Sequence, residues 1–285
     1  MQCFFVSDLH GRVDRYRKLF AAVEAGRPGA VFLGGDLLPS GLFSAIGLPE
    51  GTRFIQDFLG AELARLHGAL GPDYPRVFRI PGNDDARGEE PAFLELEASG
   101  LLEGIHGRRR ELGGHPVYGY AYVPPTPFQL KDWERWDVSR FVDPGCVPPD
   151  EGFRTVPADP HEVEHRTIAR DLADLAGEAD QTRAVWLFHA PPYDTGLDRA
   201  ALDGRMVDHA PLDVHVGSIA IRRFIEKRQP LLTLPGHIHE SARLTGAWRE
   251  AIGRTTALSA AHDGPELALV RFDLDDPAAA ARSLL

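Results

Sequence analysis

Five short polar clusters, each placed directly after an apolar run, hold most of the side chains in this sequence that could do chemistry. Ser7-Asp8-Leu9-His10 follows CFFV, Gly34-Gly35-Asp36 follows AVFL, and Pro81-Gly82-Asn83-Asp84 follows VFRI. His189-Ala190-Pro191-Pro192 follows AVWLF, and Pro235-Gly236-His237-Ile238-His239 follows LLTL. Any one of them reads equally well as a turn, because Gly, Asn and Asp favour chain reversals. Five in succession, each closing an apolar run, are hard to explain that way. Carboxylates, imidazoles and one amide oxygen suit first-row divalent ions such as Mn, Fe or Zn, and the lack of a thiolate argues against a structural zinc site. Asp8, His10, Asp36, Asn83, His189, His237 and His239 are too many ligands for one ion and about right for two that share a carboxylate. Two ions roughly 3.5–4 Å apart can clamp the attacking and leaving oxygens of an in-line displacement at phosphorus.

The elements that must position these side chains follow from hydrophobic periodicity. The runs at 3–6, 30–33, 77–80, 184–188 and 231–234 read as buried strands. Val13, Tyr16, Phe20 and Val23 line one face of a helix, as do Ile55, Leu59, Leu63, Leu66 and Leu70. Ile168, Leu172 and Leu175 mark a third, and Ile221, Phe224 and Ile225 a fourth that stops at Pro230. Alternating strands and helices indicate a mixed α/β domain, in which ligands bind beyond the carboxyl ends of the strands. ELGGHPVYGYAYV and ELALVRFDL alternate like antiparallel or edge strands, which makes two sheets the expected arrangement. The segment 124–160 holds eight of the 23 prolines and cannot be a central strand or long helix. It reads as a lid-like insertion in a single domain spanning 1–285, or as a surface excursion or oligomer contact. A smaller excursion is expected over 37–51.

As an ordered set, Asp8-Leu9-His10, Gly35-Asp36, Gly82-Asn83-Asp84-Asp85, His189 and Gly236-His237-Ile238-His239 resemble the blocks of the calcineurin-like metallophosphoesterase family. The resemblance spans residues 7 to 240. It implies a four-layer α-β-β-α sandwich of two mixed sheets flanked by helices, and a metal-dependent phosphoester hydrolase. It also implies that Asp8, His10 and His239 hold one divalent ion and Asn83, His189 and His237 the other. Asp36 would bridge the two, beside a hydroxide that acts as in-line nucleophile. Four positive charges would then meet three negative ones, leaving a slightly positive pocket for a phosphate in an acidic protein. The family fold also serves in binding or assembly proteins that are weakly active or inactive, which is the alternative reading.

The family pattern commonly has His directly after the Asn, where it is thought to act on the leaving oxygen; here that residue is Asp84. A carboxylate near its usual ~3.9 is a poor acid at neutral pH unless burial or a like charge such as Asp85 raises it. Phosphodiesters or activated esters, whose leaving oxygen needs little protonation, are therefore expected to outperform alkyl monoesters. Arg12 could reach a phosphate oxygen, and His209, His215 or His262 could face substrate. Gly217-Ser218 precedes a helix whose N-terminus could take an anion, although Ser218 also reads as an ordinary N-cap.

With 31 basic and 42 acidic residues the net charge is -11. No basic stripe is present, so extended nucleic acid is disfavoured as a partner and a small phosphorylated or nucleotide-like substrate is expected. Cys3 and Cys146 form no metal or redox spacing. No apolar stretch approaches the ~18 residues of a membrane span, and the N-terminus lacks an apolar signal region, so a cytoplasmic location is expected. An oligomer is compatible with all of this.

Overall fold

Alternate residues of the first strand, β1 (Gln2–Val6), are buried in two different cores, and this sets the layering of the molecule. In the computed structural model, which describes residues 1–40 and 53–285, Cys3 and Phe5 pack with Phe32, Phe78, Trp186 and Phe272. Phe4 and Val6 pack on the other side with Tyr16, Leu19, Leu63 and Leu66. A strand buried on both faces must lie between two layers, one of helices and one of sheet. That is the four-layer arrangement the resemblance implies.

One six-stranded sheet contains β1, β2 (Ala30–Leu33), β3 (Arg76–Arg79), β4 (Glu103–Gly104), β13 (Ala268–Asp273) and β14 (Asp276–Leu284), in the order β14-β13-β1-β2-β3-β4. Strands β1 to β4 are mutually parallel, and β13 and β14 add antiparallel. The other sheet contains β5 (Arg109–Leu112), β6 (His115–Tyr120), β7 (Val185–Phe188), β10 (Leu232–Leu234), β11 (Arg249–Ile252) and β12 (Thr255–Leu258). Its order is β11-β12-β10-β7-β6-β5, parallel in the centre and antiparallel at both edges. A two-residue pair, β8 (Met206–Val207) and β9 (Ala210–Pro211), forms a separate hairpin. No helix among the described residues is long and apolar enough to cross a membrane.

The expected strands appear within a residue or two of their apolar runs. The second expected helix differs: Phe54–Gly60 is a π-helical turn that runs into an α-helix only at Ala61–Leu70. The excursion expected over 37–51 lies, beyond Ser40, outside the described residues. Between Tyr120 and Pro160 the chain forms only isolated bridges, such as Leu130 with Phe153 and Trp136 with Thr167.

His106, beside this segment, yields a stability prediction. Its ring meets Tyr120, Tyr122 and Trp133, and its Nδ1 accepts the Ala121 N–H at 3.0 Å. Burial, with Arg87 and Arg135 acting in the same sense, pushes the imidazole down to about 3. The unfolded chain takes up this proton near 6.5 while the folded one refuses it until about 3, so stability drains away as pH falls through that interval. Between pH 7 and 5 the loss from this group is roughly 2 kcal/mol. His106→Asn keeps an acceptor for the amide and should remove that share of the acid sensitivity, read as a smaller shift of the urea midpoint; an unchanged shift refutes the assignment.

Candidate metal centre and cleft

The loops that follow β1, β2 and β3 in one sheet, and β7 and β10 in the other, converge at one end of the sandwich. Backbone bonds tie the first two together: Asp8 N–H donates to Gly35 O at 2.9 Å and His10 N–H to Asp36 O at 2.8 Å. Gly236 N–H donates to His189 O at 2.9 Å, which links the β10 and β7 loops. The described residues include nine non-glycine positions of positive φ, and Asp8, His10, Asp36 and His237 are four of them. Left-handed backbone is unfavourable for a residue with a Cβ, and such strain gathers where a site needs particular side-chain directions. Gly82 is required for a different reason: an added Cβ would overlap the Asp36 side chain and amide, and lie 2.7 Å from the His189 ring.

These loops bring all seven expected ligands together. Asp8, His10, Asp36 and His239 form one group whose ligand atoms lie within 4.8 Å of one another, and Asp36, His189 and His237 form a second. Asp36 belongs to both. His10 Nε2 is 3.2 Å from His239 Nε2, and His239 Nε2 is 3.3 Å from Asp8 Oδ1. In the other group His189 Nε2 is 3.4 Å from Asp36 Oδ2 and 3.1 Å from Asn83 Oδ1. His189 Nδ1 lies 2.8 Å from Gly34 O; a carbonyl only accepts, so Nδ1 carries a proton and Nε2 is the nitrogen turned toward the cluster. Ser7 Oγ at 2.5 Å and the His237 N–H at 3.1 Å hold the Asp8 carboxylate.

The electrostatics of the cluster favour added cations. Burial alone would raise the carboxyls, but His239 and His189 hold Asp8 at about 2, and His189, His10 and His237 hold Asp36 well below the usual range. Burial alone would lower the imidazoles, and it does push His237 down to about 3. His10 and His189 behave otherwise: Asp84 and Asp36 lift His10 to about 9, and Asp36 and Asp8 lift His189 to about 9. Buried carboxylates that pull protons onto neighbouring imidazoles will attract a divalent cation by the same field. The donor set, two carboxylates, four imidazoles and an amide oxygen, fits two such ions of the first row.

The remaining expected residues divide. Asp84 lines the cleft above this cluster, with Oδ2 3.4 Å from His10 Nδ1 and Oδ1 accepting from Ser40 Oγ at 2.9 Å. Its amide donates to Asp36 Oδ1 at 2.8 Å. Asp85 turns inward, where its carboxylate accepts from the amides of Leu37, Leu38 and Gly82. The second acidic residue of the pair is thus the clasp that joins the β2 and β3 loops. His215 lines the cleft, its Nδ1 donating to the buried Asp198 at 2.8 Å. Arg12 is not among the cleft-lining residues; its guanidinium is 3.6 Å from Asp14. His209 sits in the turn of the β8–β9 hairpin, and His262 pairs with Glu266 at 3.0 Å. The helix N-terminus after Gly217 already has its anion. Asp137, from the Pro-rich segment, accepts from Ser218 Oγ at 2.5 Å and Ile219 N at 2.8 Å, and Ser218 caps Ile221 N–H.

Three supporting residues carry no sequence signal of their own. Ser40 reaches Asp84, Asp198 orients His215, and Asp137 joins the Pro-rich segment to the helix Ile219–Arg228. Each acts on a residue distant in the chain, a relation that periodicity does not encode.

No protein-family model and no curated protein matches this chain. Two crystal structures share its fold over essentially its whole length. One aligns over 100% of this chain and 98% of its own at 16% identity, with a TM-score of 0.57. The protein TT1561 of Thermus thermophilus aligns over 99% of this chain and 98% of its own at 16% identity, with a TM-score of 0.55. An archaeal phosphodiesterase aligns over 100% of both chains at 10% identity and a TM-score of 0.45, too distant to bear on the argument. At such identities the likeness concerns the fold.

Proposed function

We propose that this protein is a metal-dependent phosphoester hydrolase acting on a small phosphorylated substrate, with diesters preferred over alkyl monoesters. One observation carries the reading: donors from four strand ends of two sheets meet in two groups that share Asp36, and Asn83 from a fifth strand end lies 3.1 Å from His189 Nε2. Asp8, His10 and His239 would hold one divalent ion, Asn83, His189 and His237 the other, and Asp36 both. When bound, the pair supplies Lewis acidity toward phosphoryl oxygens and lowers the pKa of water toward ~7, so that a nucleophile exists at neutral pH.

The chain's own residues orient this centre. Gly34 O fixes His189 through Nδ1, and Asp84 stands at Nδ1 of His10, so that both rings turn Nε2 inward. Asp84 also faces the cleft, where a carboxylate next to a departing oxygen favours leaving groups that need no proton. His215 presents its ring to the same cleft, braced by Asp198 through Nδ1, and can donate to or accept from a substrate oxygen.

Metal analysis of the purified protein, followed by assay with Mn, Fe and Zn, tests the proposal. The expected result is close to two ions per chain and turnover of a nitrophenyl diester at least about tenfold above glycerol phosphate. Metal-free protein that binds none of the three ions, and hydrolyses neither ester in their presence, would favour the binding or assembly alternative.

A further inference from the structure

The ligand cluster forms the floor of a cleft of about 1180 Å³, larger than the roughly 300–1,000 Å³ usual for small-molecule sites. Above the floor the walls change character. The Pro-rich segment supplies Pro124, Pro127, Leu130 and Val138 on one side. Leu202, Val207, Leu212, Val216 and Ile219 line it from the stretch around the β8–β9 hairpin. Two aromatic rings in this lining, Phe128 and Phe141, are 60% and 70% exposed, which is unfavourable unless something covers them.

The charge of the walls is equally uneven. Arg205 is the only Lys or Arg lining the cleft among the described residues, against Asp84, Asp137, Asp143, Asp213 and Glu240 above the floor. A second phosphate, or a nucleotide's polyanionic arm, would find one Arg among five carboxylates. The walls are also held in place: Asp137 of the segment is bonded to the backbone of Ile219 and to Ser218 on the facing side. A cleft fixed before binding loses little order when it is filled.

We infer that the substrate is an amphiphilic phosphoester: one phosphoryl group at the floor, and an uncharged hydrocarbon arm along the apolar walls. This rests on the phosphoester reading, which accounts for the floor, and adds what the walls select. A nucleotide-like substrate is correspondingly disfavoured.

Binding of methylphosphonate, octylphosphonate and adenosine monophosphate to Mn-loaded and metal-free protein, measured by calorimetry, decides the matter. Seven further methylenes buried against these walls should tighten octylphosphonate at least about thirtyfold over methylphosphonate in the Mn-loaded protein. Adenosine monophosphate should bind more weakly than octylphosphonate. Phe141→Ser and Leu212→Asp should each shrink the octyl-to-methyl ratio; the wild-type series stands even if the second variant fails to fold. Octyl and methyl compounds within threefold of each other, or the nucleotide tightest, overturns the inference while Mn-dependent phosphonate binding leaves the hydrolase reading standing. An octyl preference that is identical without Mn and is reproduced by octyl glucoside removes the phosphoryl role of the floor, and both readings fall together.

Discussion

Asp36→Asn should cost the protein both its metal pair and its turnover, by roughly a thousandfold or more in kcat/KM. Substitutions that merely loosen the partners of metal ligands cost about 10–100-fold. Asp36 is placed more centrally than any such partner, since its carboxylate lies in both ligand groups. Asparagine keeps the shape and one oxygen, and can still accept the Asp84 N–H that Asp36 Oδ1 now receives at 2.8 Å. The loops should therefore remain folded while the shared negative charge disappears. Metal content per chain, measured beside the circular dichroism spectrum, separates a lost ligand from a lost fold. A variant that retains two ions and wild-type turnover would remove Asp36 from the centre.

The same cluster sets a pH dependence whose sign is fixed. His10 and His189 are each lifted to about 9, against the effect of burial, by carboxylates led by Asp84 and Asp36 respectively. Below that value protons occupy nitrogens that metal must take, so affinity should fall as pH drops from about 9 toward 6. In the metal-free protein these protonated rings contribute stability that is complete below about 6.5 and is lost as pH rises through 9. Metal should therefore raise the melting temperature most at alkaline pH.

Much of this centre is legible in the sequence because strand ends advertise it. Each candidate ligand follows a short, mostly apolar run buried on both faces, and a run of that kind stands out in the sequence without any alternation. The geometry that makes the ligands converge is less visible. Asp8, His10, Asp36 and His237 adopt positive φ; Asp and His tolerate that region better than most residues, but their type does not say which of them enter it. Asp85 shows the converse: beside Asp84 it reads as a second carboxylate of the site, yet the amides of Leu37, Leu38 and Gly82 draw it inward. The C-terminal strand is harder still. DPAAAARSL is rich in the best helix former, but β14 pairs with β13 from Ala268↔Leu284 to Asp273↔Asp276 and forms the sheet edge. Tertiary pairing overrides propensity there, and only the neighbouring strand could reveal it.

The Pro-rich segment gives the other large effect. Lys131 and Glu134 both have fully buried side chains and pair at 2.5 Å. Lys131 Nζ also donates to Thr126 O at 3.0 Å, and the Thr126 N–H donates to Glu134 Oε2 at 2.8 Å. A segment without helix or strand has few other ways to satisfy its interior polar groups, so this knot fixes its course. Lys131→Met leaves Glu134 buried without its cation, which should cost about 3–5 kcal/mol and lower the melting temperature on the order of 10 °C. Burial already pushes Glu134 up to about 7 against the pull of Lys131, and without that pull it rises further. An acid whose folded pKa exceeds its unfolded one destabilises the fold as pH rises above the unfolded value. The deficit of the variant should accordingly be greatest above pH 7 and shrink toward pH 5. Adding Glu134→Gln keeps an acceptor for Thr126 and removes the orphaned charge, so the double variant should recover most of the loss. Because the same segment forms a wall of the cleft, limited proteolysis of the single variant should open 124–160 before the sheets. Equal melting temperatures for wild type and Lys131→Met at pH 8 would show that the knot is not what holds the wall.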